Sequence, residues 1–570
     1  MFKRINIKAI IDSIALLVIA AIVGTIVSFV AQIFIIGAKN IYNFIFYNKD
    51  FILTIDIGNI SLNLIPLIIC VPSSIIVGLL MYSMKLPRWF GPADTIYAAH
   101  HRAGILDLKG GFGSTLASFI SISGGASVGI YGPLVHFGAT VSSFIRRQKY
   151  IPKIPHDIII GSGVAAAISA GFGAPLAGII FAHETVLRHF SMKAVAALAI
   201  SSMAANFSAT EIGIVSPPLL LTAISFEMSD IIISLGIIGP LAAIIAILFM
   251  KLVLFLGTIP AKINIKSWQA PVIAGFSCGI CGMIFSEVLG LGTEVLMYVI
   301  TSQQQLGYLL ALLTGKLILT AICIGFGFFG GMFSPALFLG GVLGAIVFQL
   351  PFTSTDPELL SVLAVSGMAA VSSSVIGAPI TAIILVLELT GSYEYAIAAT
   401  FPIVVCSFIT SRTLANSVFD KQLISRGIEI TKGREQIRLN EALIKNYVDY
   451  NYTRLKSTTP IKSAINLLTK AQTTEGYIVS NDNKFIGKVS LIDLINKEGS
   501  NLVKYSVTKP LIIDPNSNLI FVIKKLSKFV GESIPIVNKK SNEMVGIISE
   551  NDVLQAYLDI SEEINQIEKH

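Results

Sequence analysis

The stretch of sequence that decides the fold occurs twice in the chain. Residues 162–184 read SGVAAAISAGFGAPLAGIIFAHE and residues 366–388 read SGMAAVSSSVIGAPITAIILVLE, and at an offset of 204 eleven positions are identical without a gap. A second pair lies upstream, where GIYGP at 129–133 corresponds to GMFSP at 331–335 at an offset of 202. Two membrane halves of one design, with a site at their interface, are typical of ion-pathway folds.

The composition is that of a membrane protein with a soluble end. Of the 570 residues, 54% are hydrophobic and 13% are charged, and the mean hydropathy is +0.76. Soluble domains carry about 25% charged residues. Residues 431–570 contain 35 of the 75 charged residues. The composition therefore excludes a soluble enzyme, a disordered chain and a nucleic-acid binder, and it predicts a membrane domain followed by a soluble domain.

The same composition shift sets the predicted domain boundaries. The basic start at Lys3, Arg4 and Lys8 precedes the first apolar run and favours a cytoplasmic N-terminus. The predicted parts are a transmembrane domain at 1–427 with halves at roughly 10–210 and 225–427, a linker at 428–453, and two soluble motifs at 454–502 and 503–570.

The upstream pair of motifs predicts an anion site. Proline is preferred in the first turn of a helix, and glycines before it allow the backbone to approach another group closely. Both GIYGP and GMFSP therefore indicate helix starts, whose free N–H groups carry partial positive charge. Two such starts that meet at mid-membrane would bind an anion weakly enough for it to leave. The alternative is a pair of kinks that serve packing alone.

The soluble part also contains a repeat. GKVSLID at 487–493 and GIISEND at 546–552 share the pattern G-x-x-S-x-x-D, and each follows a short apolar strand and opens a helix. A serine and an aspartate at a helix start suit either capping or the ribose and phosphate of a nucleotide. The candidate nucleotide-binding residues are Ser490, Asp493, Ser549 and Asp552.

On these motifs the chain resembles the CLC family of chloride channels and transporters, and its C-terminal part resembles a pair of CBS domains. The resemblance implies an all-α polytopic membrane protein of about eighteen uneven helices in inverted repeats, plus a cytoplasmic α/β CBS-pair domain. It also implies a homodimer with one pathway per subunit. The segments that carry it are GIYGP at 129–133, GAPLAGIIFAHE at 173–184, GGMFSP at 330–335, GAPITAIILVLE at 377–388 and SVFDKQL at 417–423.

The chain departs from the family at four positions. Pro92 stands where the family has a serine that contacts the central anion, and Phe419 stands where it has a tyrosine. Tyr131 occupies the gating-glutamate position, and Thr185 occupies the position of the proton-coupling glutamate. The anion-binding and pore residues that the resemblance implies are Pro92, Gly129, Ile130, Tyr131, Gly132, Gly331, Met332, Phe333, Ser334 and Phe419.

These residues predict a pathway for chloride or a related small anion that is not coupled to protons and is not an enzyme. The alternatives are a proton-coupled antiporter with an unusual proton route and a degenerate membrane sensor that acts through its CBS domains. A magnesium channel is less favoured because the apolar spans offer too few carboxylates. We expect an integral membrane protein of a prokaryotic inner membrane with both termini cytoplasmic and no nucleic-acid partner.

Two smaller sets of residues complete the predictions. His183, Glu184 and His189 could relay protons or anchor a helix end, and we favour anchoring, with Glu388 as the structural counterpart of Glu184. The C-x-x-C at 278–281 has no second pair and no nearby histidine, so no metal site is predicted. No cofactor is required, and ATP or AMP is the candidate ligand of the CBS pair.

Overall fold

The chain divides into two compact units, Met1–Ile428 and Glu429–His570. The structure is a computed structural model. It describes residues 7–47, 53–57, 60–101, 104–149, 155–212, 221, 226–351, 356–414, 416–428, 434–499, 501–508, 510–527, 529 and 531–569.

The described part of the first unit contains seventeen α-helices, from 7 to 40 residues long. Seven stretches in the described ranges are long and apolar enough to cross a membrane. The helices are α1 (Ile7–Phe46), α2 (Ile65–Ser83), α3 (Pro92–His100), α4 (Leu108–Ser123), α5 (Tyr131–Arg146), α6 (His156–Phe172), α7 (Pro175–Phe181), α8 (Met192–Glu211), α9 (Met228–Lys262), α10 (Ala270–Ile284), α11 (Thr293–Thr301), α12 (Leu306–Gly325), α13 (Phe333–Phe348), α14 (Leu359–Ile376), α15 (Pro379–Thr390), α16 (Tyr393–Thr413) and α17 (Val418–Ser425).

One feature of the first unit was not predicted from the sequence. Two short antiparallel strands, β1 (Thr54–Ile57) and β2 (Ile60–Asn63), pair between α1 and α2, with Thr54 opposite Asn63. The hairpin alternates apolar and polar residues over only four positions in each strand, which is too short a pattern to stand out among long apolar helices.

Glycine and proline residues at matching positions interrupt the helices in both halves. Gly173 ends α6 with φ +66°, and Gly377 ends α14 with φ +73°. Glycine adopts this left-handed conformation without the steric cost that a side chain would add. Pro175 and Pro379 then open α7 and α15 at the first helical position, where a proline loses no hydrogen bond. The repeat in the sequence therefore has the same local structure in each half.

The central helices of each half pack through glycines at matching places. A Cβ on Gly138 of α5 would lie 2.3 Å from the carbonyl oxygen of Gly163 in α6. A Cβ on Gly340 of α13 would lie 2.2 Å from the carbonyl oxygen of Gly367 in α14. Small residues allow helix backbones to approach closely in an apolar environment. These contacts fix how α5 and α13, the two predicted pore helices, sit in the unit.

The two halves are joined by a reciprocal pair of carboxylates. Glu388 at the end of α15 accepts hydrogen bonds from the backbone N–H groups of Leu176 and Ala177 at 2.9 and 2.8 Å. Glu184 beyond α7 accepts from Ile380 and Thr381 at 3.0 and 2.9 Å. Each half thus caps a helix of the other, as expected for parts related by a two-fold axis. Both glutamates therefore have the structural partners that a structural role requires.

The second unit contains two similar α/β modules. In the first, β3 runs parallel to β4, and β4 pairs antiparallel with β5; in the second, β6 pairs antiparallel with β7. Its elements are α18 (Arg434–Glu441), β3 (Arg454–Lys456), α19 (Ile461–Ala471), β4 (Glu475–Val479), β5 (Phe485–Ser490), α20 (Leu491–Leu494), α21 (Leu519–Leu526), β6 (Ser533–Val537), β7 (Met544–Ser549) and α22 (Glu550–Lys569).

Each module has its own apolar core, and part of the segment before them joins the second core. Leu439, Ile444 and Val448 lie within 428–453, the segment assigned to a linker, and they are buried with Ile513 of the second module. A segment that precedes both modules in the chain therefore belongs to the core of the second module.

The two modules also exchange contacts reciprocally. The backbone N–H of Phe485 donates to the carbonyl of Asn542 at 2.9 Å, and that of Met544 donates to the carbonyl of Asn483 at 3.0 Å. Both asparagines have positive φ, which asparagine tolerates better than most residues. Burial is the main cause that raises the pKa of Tyr477, whose hydroxyl contacts the second module.

Candidate functional site

The two predicted helix starts meet in the buried interior of the first unit. Gly129 and Gly331 form an antiparallel bridge, with N–H to carbonyl distances of 2.8 Å from Gly129 and 2.6 Å from Gly331. A Cβ on Gly331 would lie 2.7 Å from the backbone nitrogen of Gly132. Only glycine fits this contact. It brings the first turns of α5 and α13, with their unpaired N–H groups, to the same place.

A cavity of about 480 Å³ lies beside this junction. Its wall contains most of the predicted pore residues, namely Pro92, Tyr131, Gly132, Gly331, Met332, Phe333 and Phe419. Three other predicted residues are buried but do not line it: Gly129, which forms the bridge, and Ile130 and Ser334. The Ser334 hydroxyl has no hydrogen-bond partner among the described residues.

Three aromatic rings meet in the wall of the cavity. The Tyr131 ring stacks on Phe172 with centroids 3.5 Å apart and an angle of 11° between the planes. Phe333 meets both rings edge-on, at 5.7 Å from Tyr131 and 5.2 Å from Phe172. Sequence reasoning missed Phe172, although it directly precedes the Gly-Ala-Pro motif, and its counterpart in the second half, Ile376, also lines the cavity.

The start of α3 is held against α5 and against the loop before α13. The Thr95 hydroxyl and His136 Nδ1 of α5 are 2.9 Å apart, and both side chains are buried. Trp89 Nε1 donates to the carbonyl of Gly327 at 3.0 Å, in the loop before α13. Pro92, the first residue of α3, thereby lies beside the N-terminus of α5, with its Cγ 3.6 Å from a Cβ built on Gly132. Pro92 presents neither an N–H nor a hydroxyl there.

The charged part of the cavity wall is a group of three side chains. Asp94 forms ion pairs with Arg88 and Arg426, and the Arg426 Nη1 to Asp94 Oδ1 distance is 2.9 Å. Asp94 also accepts a hydrogen bond from the backbone N–H of Gly91 at 3.0 Å, which caps α3. No other charged residue appears among the described residues that line the cavity. Its net formal charge is therefore positive.

The predicted proton-coupling position is buried and uncharged. Thr185 lies in a π-helical turn, Ala182–Leu187, that continues α7, and it is 2% exposed. Its hydroxyl has no hydrogen-bond partner in the described part of the chain. Nearby, His183 Nδ1 lies 2.8 Å from the His189 carbonyl, and His189 Nε2 lies 3.2 Å from Asp157. These contacts connect the end of the helix to Asp157 of α6, and the anchoring role stays a prediction.

The two candidate nucleotide motifs differ in geometry. In the second motif, Asp552 accepts hydrogen bonds from the Ser549 backbone N–H at 2.8 Å and from its hydroxyl at 2.7 Å. This is a helix cap at the start of α22. In the first motif, Ser490 precedes the four-residue α20 without a side-chain capping bond, and Asp493 is exposed. The motifs occupy helix starts as predicted, but they are not equivalent.

Comparison with known proteins places this geometry in a family. The model of the voltage gated chloride channel family matches residues 73–412, and the CBS domain model matches residues 503–559. The chain belongs to the voltage gated chloride channel family. The predicted membership of the CLC family with C-terminal CBS domains is thus confirmed.

Relatives and solved structures agree with this assignment. The H(+)/Cl(-) exchange transporter ClcA of Vibrio parahaemolyticus is 26% identical over 447 residues, covering 74% of this chain and 92% of the relative. The crystal structure of a slow cyanobacterial Cl-/H+ antiporter matches with a TM-score of 0.62 at 20% identity, over 72% of this chain and 98% of the other. A eukaryotic CLC transporter matches with a TM-score of 0.63 at 14% identity, over 95% and 98%. The predicted fold class is confirmed.

Proposed function

We propose that this CLC protein transports chloride and related small anions without coupling to protons, with Tyr131 as an uncharged gate. The observation that carries the proposal is the Tyr131 ring stacked on Phe172 in the wall of the cavity where the two helix starts meet. The only carboxylate among the described lining residues, Asp94, is held by two arginines. A movable carboxylate, which could compete with the anion and carry a proton, is absent from the described wall.

The chemistry of the gate follows from the phenol. A tyrosine has an ordinary pKa of about 10, so it is neutral at neutral pH and does not act as an anion in the pathway. A carboxylate gate would leave an anion site when protonated, and a phenol has no such charge to lose. Thr185 cannot relay a proton from the other side either, because a hydroxyl does not titrate in this range. Positions 131 and 185, which would transfer the proton on the two sides of the pathway, therefore both lack a carboxylate.

The binding of the anion rests on backbone groups. Pro92 and Phe419 line the cavity without a polar hydrogen, so two side-chain donors expected in the family are missing. A hydrogen bond to a charged group contributes about 1.5–3 kcal/mol. The N–H groups of the first turn of α13, around Met332 and Phe333, and the partial charge of the helix start supply the attraction. We expect nitrate, bromide and thiocyanate to compete with chloride, with less than about tenfold preference.

The assembly and orientation are part of the same proposal. A homodimer in a prokaryotic inner membrane, with both termini in the cytoplasm, places the CBS pair where it can modulate transport. ATP or AMP is its proposed ligand. The relative ClcA, by its name, exchanges protons for chloride, so proton-coupled exchange by another route is the competing function.

The test is anion efflux from proteoliposomes that contain the purified full-length protein. We expect chloride efflux above that of protein-free liposomes, and a deletion of residues after about 435 should keep measurable flux if the membrane unit folds and dimerises. A sensor without a pathway would give no efflux above background, and this result would contradict the proposal.

A further inference from the structure

The two arginines of the cavity wall use their hydrogen-bonding groups differently. Arg88 contacts Asp94 through both of its terminal nitrogens: its Nη1 donates to Oδ2 at 2.9 Å and its Nη2 pairs with Oδ1, and Nη1 also lies 3.1 Å from the Trp89 carbonyl. Arg426 reaches Asp94 through Nη1 alone, at 2.9 Å. Among the described residues, Arg426 Nε and Nη2 have no acceptor.

The unused groups of Arg426 lie along one edge of its guanidinium. The Nε–H and one N–H of Nη2 point in the same direction, at a spacing that matches two oxygens of a planar oxyanion. The Arg426 side chain is 33% exposed and lines the same cavity as Tyr131. This edge is therefore open to solutes at the solvent-exposed rim of the cavity.

We propose that the Nε–Nη2 edge of Arg426 is a second anion site, which captures planar oxyanions such as nitrate or bicarbonate before they reach the rings at Tyr131. The inference rests on the proposed function, because it places this site on the same pathway. A spherical halide gains only the attraction of the charge. A planar oxyanion gains the charge and two parallel hydrogen bonds.

Asp94 has a defined role in this arrangement. It holds both guanidinium groups, and it is itself fixed to the start of α3 by the Gly91 N–H at 3.0 Å. Its charge reduces the formal charge of the group from two to one. Binding at the rim then stays weak enough for the anion to move on, which transport through several sites requires.

The experiment compares R426K and R426Q with the wild type in full-length protein. The initial rate of chloride and of nitrate transport in proteoliposomes is measured against anion concentration at constant ionic strength. Lysine keeps the positive charge but lacks the planar edge. We expect R426K to raise the half-saturating nitrate concentration about three- to tenfold, with chloride little changed. R426Q should weaken both anions.

R412K is the control, because Arg412 is an exposed arginine that does not line the cavity. It should leave the nitrate-to-chloride ratio of half-saturating concentrations unchanged. Equal effects of R426K on both anions, or no effect on either, would overturn the inference. Size-exclusion profiles of the variants show that they remain folded.

A second measurement separates this inference from the proposed function. If the wild type transports neither anion, the proposed function fails, and the rim site is then tested by binding alone. Nitrate should raise the melting temperature of the detergent-solubilised wild type more than that of R426K. Equal shifts for the two proteins would overturn the site independently of transport.

Discussion

The two halves of the membrane unit are alike where they build the scaffold and different where they line the pathway. Gly173 and Gly377 end corresponding helices, and Glu184 and Glu388 cap helices of the opposite half. At the cavity the pairs diverge. Tyr131 corresponds to Phe333, and Phe172 corresponds to Ile376.

This division shows how a duplicated chain can acquire a single pathway. A reciprocal contact needs the same acceptor at both places, here a glutamate, because each half serves as the partner of the other. A pathway that crosses the junction has two different ends and gains nothing from symmetry there. The divergent positions of the repeat are therefore the ones to examine for function, and the identical positions are the ones to examine for stability.

The largest effect is expected where the two halves touch. Gly331→Ala places a Cβ 2.7 Å from the Gly132 nitrogen, which is a backbone atom and not the end of a flexible side chain. Overpacking costs about 1–3 kcal/mol, so the first turns of α5 and α13 should separate and anion flux should fall about tenfold or more. The measurement is chloride efflux from proteoliposomes.

Gly236→Ala is the matched control, since a Cβ at that position of α9 meets nothing within 4 Å. It should leave the flux unchanged. Normal flux in Gly331→Ala would show that the contact between the two helix starts is not part of the pathway.

The next largest effect is expected at Tyr131, one of the positions at which the two halves differ. Tyr131→Ala removes the ring that stacks on Phe172, an aromatic contact that contributes about 0.5–1.5 kcal/mol beyond its buried area. If the ring closes the pathway, flux should rise up to about tenfold. Tyr131→Phe keeps the stack and should keep the flux of the wild type, and it should weaken anion binding if the hydroxyl is a ligand. Flux in Tyr131→Ala that is no faster than in the wild type would show that Tyr131 is not the gate.

Much of this arrangement could be predicted from the sequence, because the glycines and prolines that determine backbone geometry can be recognised there. The glycines and prolines at 129–133 and 331–335 predicted the two helix starts, and these are found at Tyr131 and Phe333. Phe172 and the group of Arg88, Asp94 and Arg426 were not predicted. They act through contacts between residues far apart in the chain, and a single phenylalanine or arginine carries no local signal of its partners.

A smaller effect tests the symmetric side of the comparison. Glu184→Ala and Glu388→Ala each remove a carboxylate that accepts hydrogen bonds from two backbone N–H groups of the other half. Each loss should cost about 1.5–3 kcal/mol. Glu184→Ala should lower the melting temperature more than Glu388→Ala, because Glu184 also accepts a hydrogen bond from the Thr381 hydroxyl at 2.7 Å. Chloride flux without proton movement should persist in both variants. Glu394→Ala, an exposed position, is the control. A selective loss of flux in one variant would give that glutamate a role in transport.

The smallest effect concerns the two CBS motifs. Asp552 caps α22 through Ser549, so Asp552→Ala should cost about 1 kcal/mol of stability in the C-terminal unit. Asp493 is exposed, and Asp493→Ala should cost nothing measurable. If ATP or AMP binds, its stabilising effect on the full-length protein should weaken in Asp552→Ala. If ATP and AMP shift neither the melting temperature nor the flux of the wild type, they are not ligands of the CBS pair.

The most direct test of the central claim is the movement of protons driven by chloride. Proteoliposomes with the wild-type protein are given a chloride gradient, and the external pH is recorded without a protonophore. With a phenol at position 131 and a hydroxyl at position 185, we expect chloride flux without uphill proton movement. Uphill proton uptake in a fixed ratio to chloride would contradict the account.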